Sequence, residues 1–167
     1  TNPEGLDAYL SSLNIKVHFS VLNKSNINRA AQLCQKTNQF NTTYRRYTIR
    51  ELEEINNGSG QVFVIGYESS ISDFENIGLM VFSKNKKLES SIYLDVFLLS
   101  CRILGQGLEK LCLEWAINYS EKKGYKYFFG EIVKNERNVP TYSIFEDANF
   151  LKENEFSWKF DIRKVSY

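Results

Sequence analysis

Two glycines one residue apart, shortly after an arginine, have the clearest chemical consequence in this chain: Arg102-Ile103-Leu104-Gly105-Gln106-Gly107. The run before them, Tyr93 to Leu99, is apolar and β-prone and reads as a buried strand. The run after them places Leu108, Leu111, Cys112, Trp115, Ala116 and Tyr119 on one helical stripe, with Lys122 and Lys123 in the last turn and Gly124 as the left-handed stop. A strand, a glycine bend and a helix leave backbone N–H groups free at the helix N-terminus, where a diphosphate fits against Gly105 and Gly107. Cys101 adjoins Arg102 and the helix start, which favours thiolate and permits an acyl-thioester relay; the alternative, and the favoured one, is a small apolar residue packed under the bend. Glu131 ends a later strand and is a candidate general base, with an exposed strand-end carboxylate as the equal alternative. Arg45 and Arg46, with Asn38 and Gln39, sit in an amide-rich segment from Gln35 to Tyr47 that reads either as a solvated loop or as the lining of a polar acceptor site; composition leans to the loop.

The elements that must position these residues follow from periodicity and end signals. Ile15, Val17, Phe19 and Val21 alternate with polar residues as a half-buried strand that places His18, the only histidine, on the surface. Asn26 or Ser25 caps a helix to about Lys36, and Thr48-Ile49-Arg50-Glu51 is a capping box for a second helix to about Asn56. Strands are expected over 61–67 and 77–83, with a polar loop over 69–75 between them and a turn at Lys84-Asn85-Lys86-Lys87. After Gly124 come a strand over 125–133, a helix begun by Asn138 and Pro140 and closed by Asn149, and a last strand on which Phe156, Trp158, Phe160 and Ile162 alternate with polar residues. The order is βααβββαβαβ, with mostly antiparallel connections.

A chain of 167 residues, 43% hydrophobic and 14% aromatic, supports one core-bearing domain over 15–167, with 1–14 as a tail or linker. Twenty-one basic against 20 acidic residues give a net charge of +1, and so no electrostatic reason to expect nucleic acid or an anionic membrane. No apolar run is long enough to span a bilayer. Cys34, Cys101 and Cys112 are odd in number and widely spaced, which suits reduced cytoplasmic thiols and offers no metal-ligand spacing.

The element order and the Arg-x-x-Gly-x-Gly bend resemble the GNAT acyltransferases, which implies an α/β (α+β) fold: a mixed, mostly antiparallel central sheet with a splayed strand pair, flanked by helices. The blocks Ala31 to Asn41, Arg45-Arg46-Tyr47-Thr48 and Phe97 to Arg102 look like the C-terminal GNAT-like domain of the FkbH-like proteins. That resemblance implies transfer of a small acyl group, such as glyceryl, on the phosphopantetheine thiol of an acyl carrier protein or on coenzyme A. It also implies an upstream haloacid-dehalogenase-type domain in the same polypeptide, whose Asp-x-Asp motif this chain lacks. Under the resemblance, Phe97, Leu98 and Leu99 pair with the pantetheine arm, the backbone of Arg102, Ile103, Leu104, Gly105, Gln106 and Gly107 holds the pyrophosphate, and Asn138 matches the family's Asn at the next helix start. Phe145 stands where many of these enzymes have the tyrosine that protonates the departing thiolate; Tyr142, one turn earlier, is either its substitute or a structural tyrosine. The second expectation is therefore a non-catalytic module that docks the carrier protein for its neighbour.

Overall fold

A computed structural model describes residues 13–84 and 90–164. Among these residues, eight strands form one sheet in the order β1-β3-β4-β5-β6-β8-β7, with β2 attached separately to β5. The strands are β1 (Lys16–Val21), β2 (Phe40–Asn41), β3 (Gly60–Ser69), β4 (Ser72–Lys84), β5 (Ser91–Leu99), β6 (Tyr127–Glu131), β7 (Leu151–Lys152) and β8 (Ser157–Asp161). The α-helices among the described residues are α1 (Ile27–Lys36), α2 (Ile49–Asn57), α3 (Leu108–Lys122) and α4 (Ile144–Asp147). All pairs are antiparallel except β5 with β6, which run parallel through the α3 crossover.

The sheet is covered on both faces. On one, Leu33, Cys34 and Leu52 of α1 and α2 pack with Val62, Val64, Leu79, Val81, Val96 and Leu98. On the other, α3 and α4 cover Phe63, Met80, Phe82, Leu94, Phe97 and Phe128. The capping box forms: the Thr48 hydroxyl accepts from the Glu51 amide and the Glu51 carboxylate accepts from the Thr48 amide. Gly124 and Asn149 take the left-handed conformation that ends their helices.

Several boundaries differ from expectation. The polar stretch 69–75 is a tight hairpin, because β4 already pairs with β3 from Ser72. The helix expected from Asn138 is a 3-10 turn (Val139–Thr141) followed by the short α4. The buried arc of α3 is Leu108, Cys112, Leu113, Ala116, Ile117 and Ser120, rotated from the expected stripe because the helix also packs against α4; Leu111 is exposed. Trp115 and Tyr119 stack along the edge of that arc, Trp115 lying on Phe19 at 4.1 Å. Phe156 is exposed, in a turn held by the Asn154 side chain, and β7 adds a short hairpin with β8. Of the expected tail, 1–12 lies outside the described residues, while the Leu13 carbonyl accepts from Ser70 and is docked. Positions 85–87 of the expected turn at Lys84 also lie outside them.

Candidate active site

The site is built where β5 and β6 part. They are paired from Ser91/Tyr127 to Leu94/Gly130 and no further. At that point β5 carries one residue more than β4: Val96 faces Val81, Leu94 faces Phe82, and Asp95 is the bulged residue between them. A bulge bends its strand and re-aims its side chain, and here it does so at the mouth of a gap in the sheet.

Charged groups converge on this bulge. Arg45 Nη1 donates to the Asp95 carbonyl at 3.0 Å and lies 3.9 Å from its carboxylate. Arg45 Nη2 sits 3.0 and 3.1 Å from the two carboxylate oxygens of Glu131. The Thr43 hydroxyl donates to the Asp95 carbonyl at 2.7 Å. Burial pushes the Asp95 carboxyl above the ordinary carboxylate range, against a hydrogen bond from Ser83 and the Arg45 charge; Glu131 adds a smaller push upward. Tyr47 shares the environment, its phenol raised by burial first and by Asp95 next. Tyr93, stacked on Phe129 at 4.8 Å, is the adjoining aromatic surface.

The gap itself is not empty. β2 lies in it, Phe40 opposite Leu99 and Asn41 opposite Leu98. The Thr42 amide donates to the Phe97 carbonyl, the Phe97 amide donates to the Thr42 hydroxyl, and the Val133 amide donates to the Thr42 carbonyl. Asn138 is fully buried and its Nδ2 bridges the carbonyls of Asn41, Thr42 and Val133. Phe40 is buried edge-on to Phe97 at 5.1 Å. The solvated loop favoured for 35–47 is therefore corrected: its Asn and Thr side chains are the bonding groups of a strand wedged into the sheet.

Beyond β5, the bend leaves free amides over a shorter span than expected. The amides of Arg102, Ile103 and Leu104 turn back onto Ser100 and Cys101 in a 3-10 turn, which removes them from the expected set. Gly105 and Gly107 both have positive φ, 86° and 75°, and face open space. The amides of Gly105 to Leu108 make no hydrogen bond among the described residues, and α3 starts without a side-chain cap. Tyr67 fixes the bend by donating to the Gln106 side chain at 2.9 Å. The Arg102 guanidinium turns away to Glu75, 2.6 Å off, beside a cleft of about 480 Å³ under the β3–β4 hairpin; Arg29 reaches the same carboxylate at 3.5 Å.

The other expected residues are placed as follows. Cys101 is exposed, so the expected packing under the bend is corrected: the 3-10 turn points it outward and buries Ile103 instead. Arg46 binds the carbonyls of Cys34 and Gln35 and the Asn38 side chain, closing the C-terminal end of α1. Gln39 is exposed. The Tyr142 hydroxyl donates to the Asn135 carbonyl at 2.6 Å. Asn138 is a staple for β2, not a helix cap or a surface ligand. Phe145 is fully buried, its ring end-on against Gly130. Asp95 was missed by sequence reasoning; the signal for it was a lone carboxylate inside the apolar run Tyr93–Leu99. Among the described residues no group of His, Cys, Asp and Glu is arranged to hold a metal, and no helix is long and apolar enough to cross a membrane.

A coenzyme A-type donor fits this architecture in part. Gly105 to Leu108 suit its diphosphate, whereas the β5 edge where an extended diamide arm would add, Phe97 to Leu99, is taken by β2 and Thr42.

No family model matches the chain, and no curated protein matches it. Solved structures do. A GNAT-family structure from Desulfovibrio desulfuricans superposes with a TM-score of 0.71 over 88% of this chain and 99% of that one, at 15% identity. Spermidine N-acetyltransferase from Vibrio cholerae, in complex with CoA and spermine, gives 0.67 over 89% and 96% at 14% identity. The ribosomal-protein-S18-alanine N-acetyltransferase from Escherichia coli gives 0.65 over 91% and 100% at 12% identity. The chain has the GNAT fold.

Proposed function

We propose that the chain is an acyltransferase that draws its acyl group from a phosphopantetheine thioester, with the phosphate end of the donor at Gly105–Leu108 and the acceptor presented to Asp95. The observation that carries this reading is the bulge in β5, which places a carboxyl of raised proton affinity at the point where β5 and β6 part. A thioester supplies an activated acyl carbon; what remains for the protein is to hold both partners and take a proton from the acceptor. Asp95 is the proton acceptor, a stronger base than an ordinary carboxylate because it is partly desolvated. Glu131 is bound by Arg45 on both oxygens and works as the anchor that holds the guanidinium against the Asp95 carbonyl. Thiol protonation falls to solvent, since Phe145 has no proton and the Tyr142 hydroxyl is committed to Asn135.

The FkbH-like resemblance refines this reading. The blocks that carry it, Ala31–Asn41 and Phe97–Arg102, build β2, the β5 edge it pairs with and the start of the bend. On that basis the donor thiol belongs to an acyl carrier protein, the acyl group is small and glyceryl-like, and a haloacid-dehalogenase-type domain is the neighbour. The second reading, a docking module without catalysis, is favoured by the buried Phe145.

The test is free-thiol release from short acyl-coenzyme A and from an acylated holo carrier protein, with an amine and hydroxyl acceptor panel. Release above the buffer rate, with kcat falling about 100-fold or more in Asp95→Asn, is expected. Equal rates for the two proteins would refute the role of Asp95, and no release from either donor would leave the docking reading.

A further inference from the structure

Residues Phe40 to Thr43 occupy the strip of sheet edge that a donor arm requires. A diphosphate at Gly105–Leu108 lies just past the C-terminal end of β5, and Asp95 lies toward its middle. An arm joining the two must therefore run back along Leu99, Leu98 and Phe97. Pantetheine is an extended chain with two amides, and such a chain binds a sheet edge by strand addition. The donors and acceptors it would use are those already given to Thr42: the amide and the carbonyl of Phe97.

We propose that this internal strand and a phosphopantetheine arm compete for the same edge of β5, so that the arm enters only when residues 40–43 leave. This rests on the reading of the bend as a donor phosphate site. The wedge has the construction of a two-state element. It is short, it is held by the hydroxyl and backbone of Thr42, by the Asn138 staple and by the burial of Phe40 against Phe97, and it ends at Tyr44, which has φ 60°. A non-glycine residue in that conformation carries a backbone cost while the wedge is docked. In the closed state the bend still offers its amides to phosphate groups, so nucleotide and arm are recognised separately. The apparent affinity for an arm is the intrinsic one reduced by the open fraction.

Calorimetry with coenzyme A, phosphopantetheine and 3′-phospho-ADP, the same nucleotide without an arm, tests this. The wild type is expected to bind coenzyme A no more than about twofold tighter than 3′-phospho-ADP, because the arm gains nothing while β2 is docked. Thr42→Val, which removes the acceptor for the Phe97 amide, and Asn138→Ala, which removes the staple, are expected to tighten coenzyme A and phosphopantetheine about tenfold and leave 3′-phospho-ADP unchanged. In Thr42→Val, saturating coenzyme A should deprotect the amides of residues 42 and 133 to hydrogen exchange, and 3′-phospho-ADP should not. A wild type that binds coenzyme A tenfold tighter than 3′-phospho-ADP with both amides still protected overturns the competition, as do variants with unchanged arm affinity. If 3′-phospho-ADP also fails to bind every protein, the donor-site reading itself has failed.

Discussion

Phe145→Tyr adds one oxygen at the position where the family resemblance implies a catalytic hydroxyl, and the structure gives a definite account of what that oxygen meets. The Phe145 ring points end-on at β6: a Cβ built on Gly130 would lie 2.2 Å from Cζ, and 2.3 and 2.7 Å from the two Cε atoms. Gly130 is thus the space that the ring end fills. A phenol oxygen would extend from Cζ toward the Gly130 backbone, while Trp158 and Phe150 hold the ring at 5.6 and 5.1 Å between centroids and leave it little sideways travel. Two costs follow: overpacking, about 1–3 kcal/mol, and a buried hydroxyl without a partner, about 1–3 kcal/mol. The sum is about 2–6 kcal/mol, a large share of the stability of a domain of this size. Urea unfolding followed by fluorescence reads it directly, with Phe145→Leu as the comparison that removes ring contacts but adds no polar atom. Phe145→Tyr should lower the midpoint at least as much as Phe145→Leu, without raising thiol release. A Phe145→Tyr protein as stable as the wild type would refute the end-on packing, and higher turnover would show that the hydroxyl reaches the gap after all.

Gly130→Ala should act through the same contact and cost about 1–3 kcal/mol, and combining it with Phe145→Leu should cost less than the two changes added, since the smaller side chain vacates the space. Native protein treated with a thiol reagent near neutral pH should modify Cys101 only; Cys34 is buried with its thiol pushed up to about 11, Cys112 is raised further by burial, and both should react once the chain is unfolded. Equal rates at all three cysteines would contradict the packing of α1 and α3. Asp95 has its proton affinity raised on folding, so its folded form favours the neutral carboxyl: its contribution to stability is full below the ordinary Asp range and is lost as pH rises through the folded value. Asp95→Asn should therefore raise the unfolding midpoint at neutral pH, and the advantage should shrink as the pH falls through the raised folded value and be gone below about 4, the ordinary Asp value; a stabilisation independent of pH would count against desolvation as the cause.

What the sequence discloses and what it withholds divide by range. The Thr48–Glu51 box, Gly124, Asn149 and the Arg102–Gly107 bend are local signals, and each forms where its residues place it. β2 has no such signal, because it is only Phe40 and Asn41 within a polar stretch and its partners, Leu98 and Leu99, lie far along the chain. Asn138 misleads for the same reason: beside Pro140 it has the local character of a helix cap, yet its amide faces inward to carbonyls contributed by residues 41 and 42. The bulge at Asp95 depends on the register between β4 and β5, which neither strand specifies alone.

The pairing of β5 also fixes where chemistry can happen in this fold. From Ser91 to Leu94 it is paired with β6, Leu98 and Leu99 are paired with β2, Phe97 is bonded to Thr42, and β4 runs along the other edge from Ile92 to Leu99. Only the bulge escapes strand partners, and its carbonyl is taken by side chains, Thr43 and Arg45. Arg45 follows β2 closely in the chain, so the guanidinium that binds Glu131 and the Asp95 carbonyl is carried by the same segment that fills the gap. Withdrawal of residues 40–43 would consequently pull on Arg45, exposing the arm-binding edge and loosening the charge beside Asp95 together. Loss of that nearby positive charge favours the protonated carboxyl and raises its proton affinity further. The geometry therefore couples the opening of the donor path to the strength of the base at its end. An Arg45→Met protein tests this coupling: its acid limb of thiol release should move to higher pH, and an unmoved limb would mean that Arg45 does not set the proton affinity of Asp95.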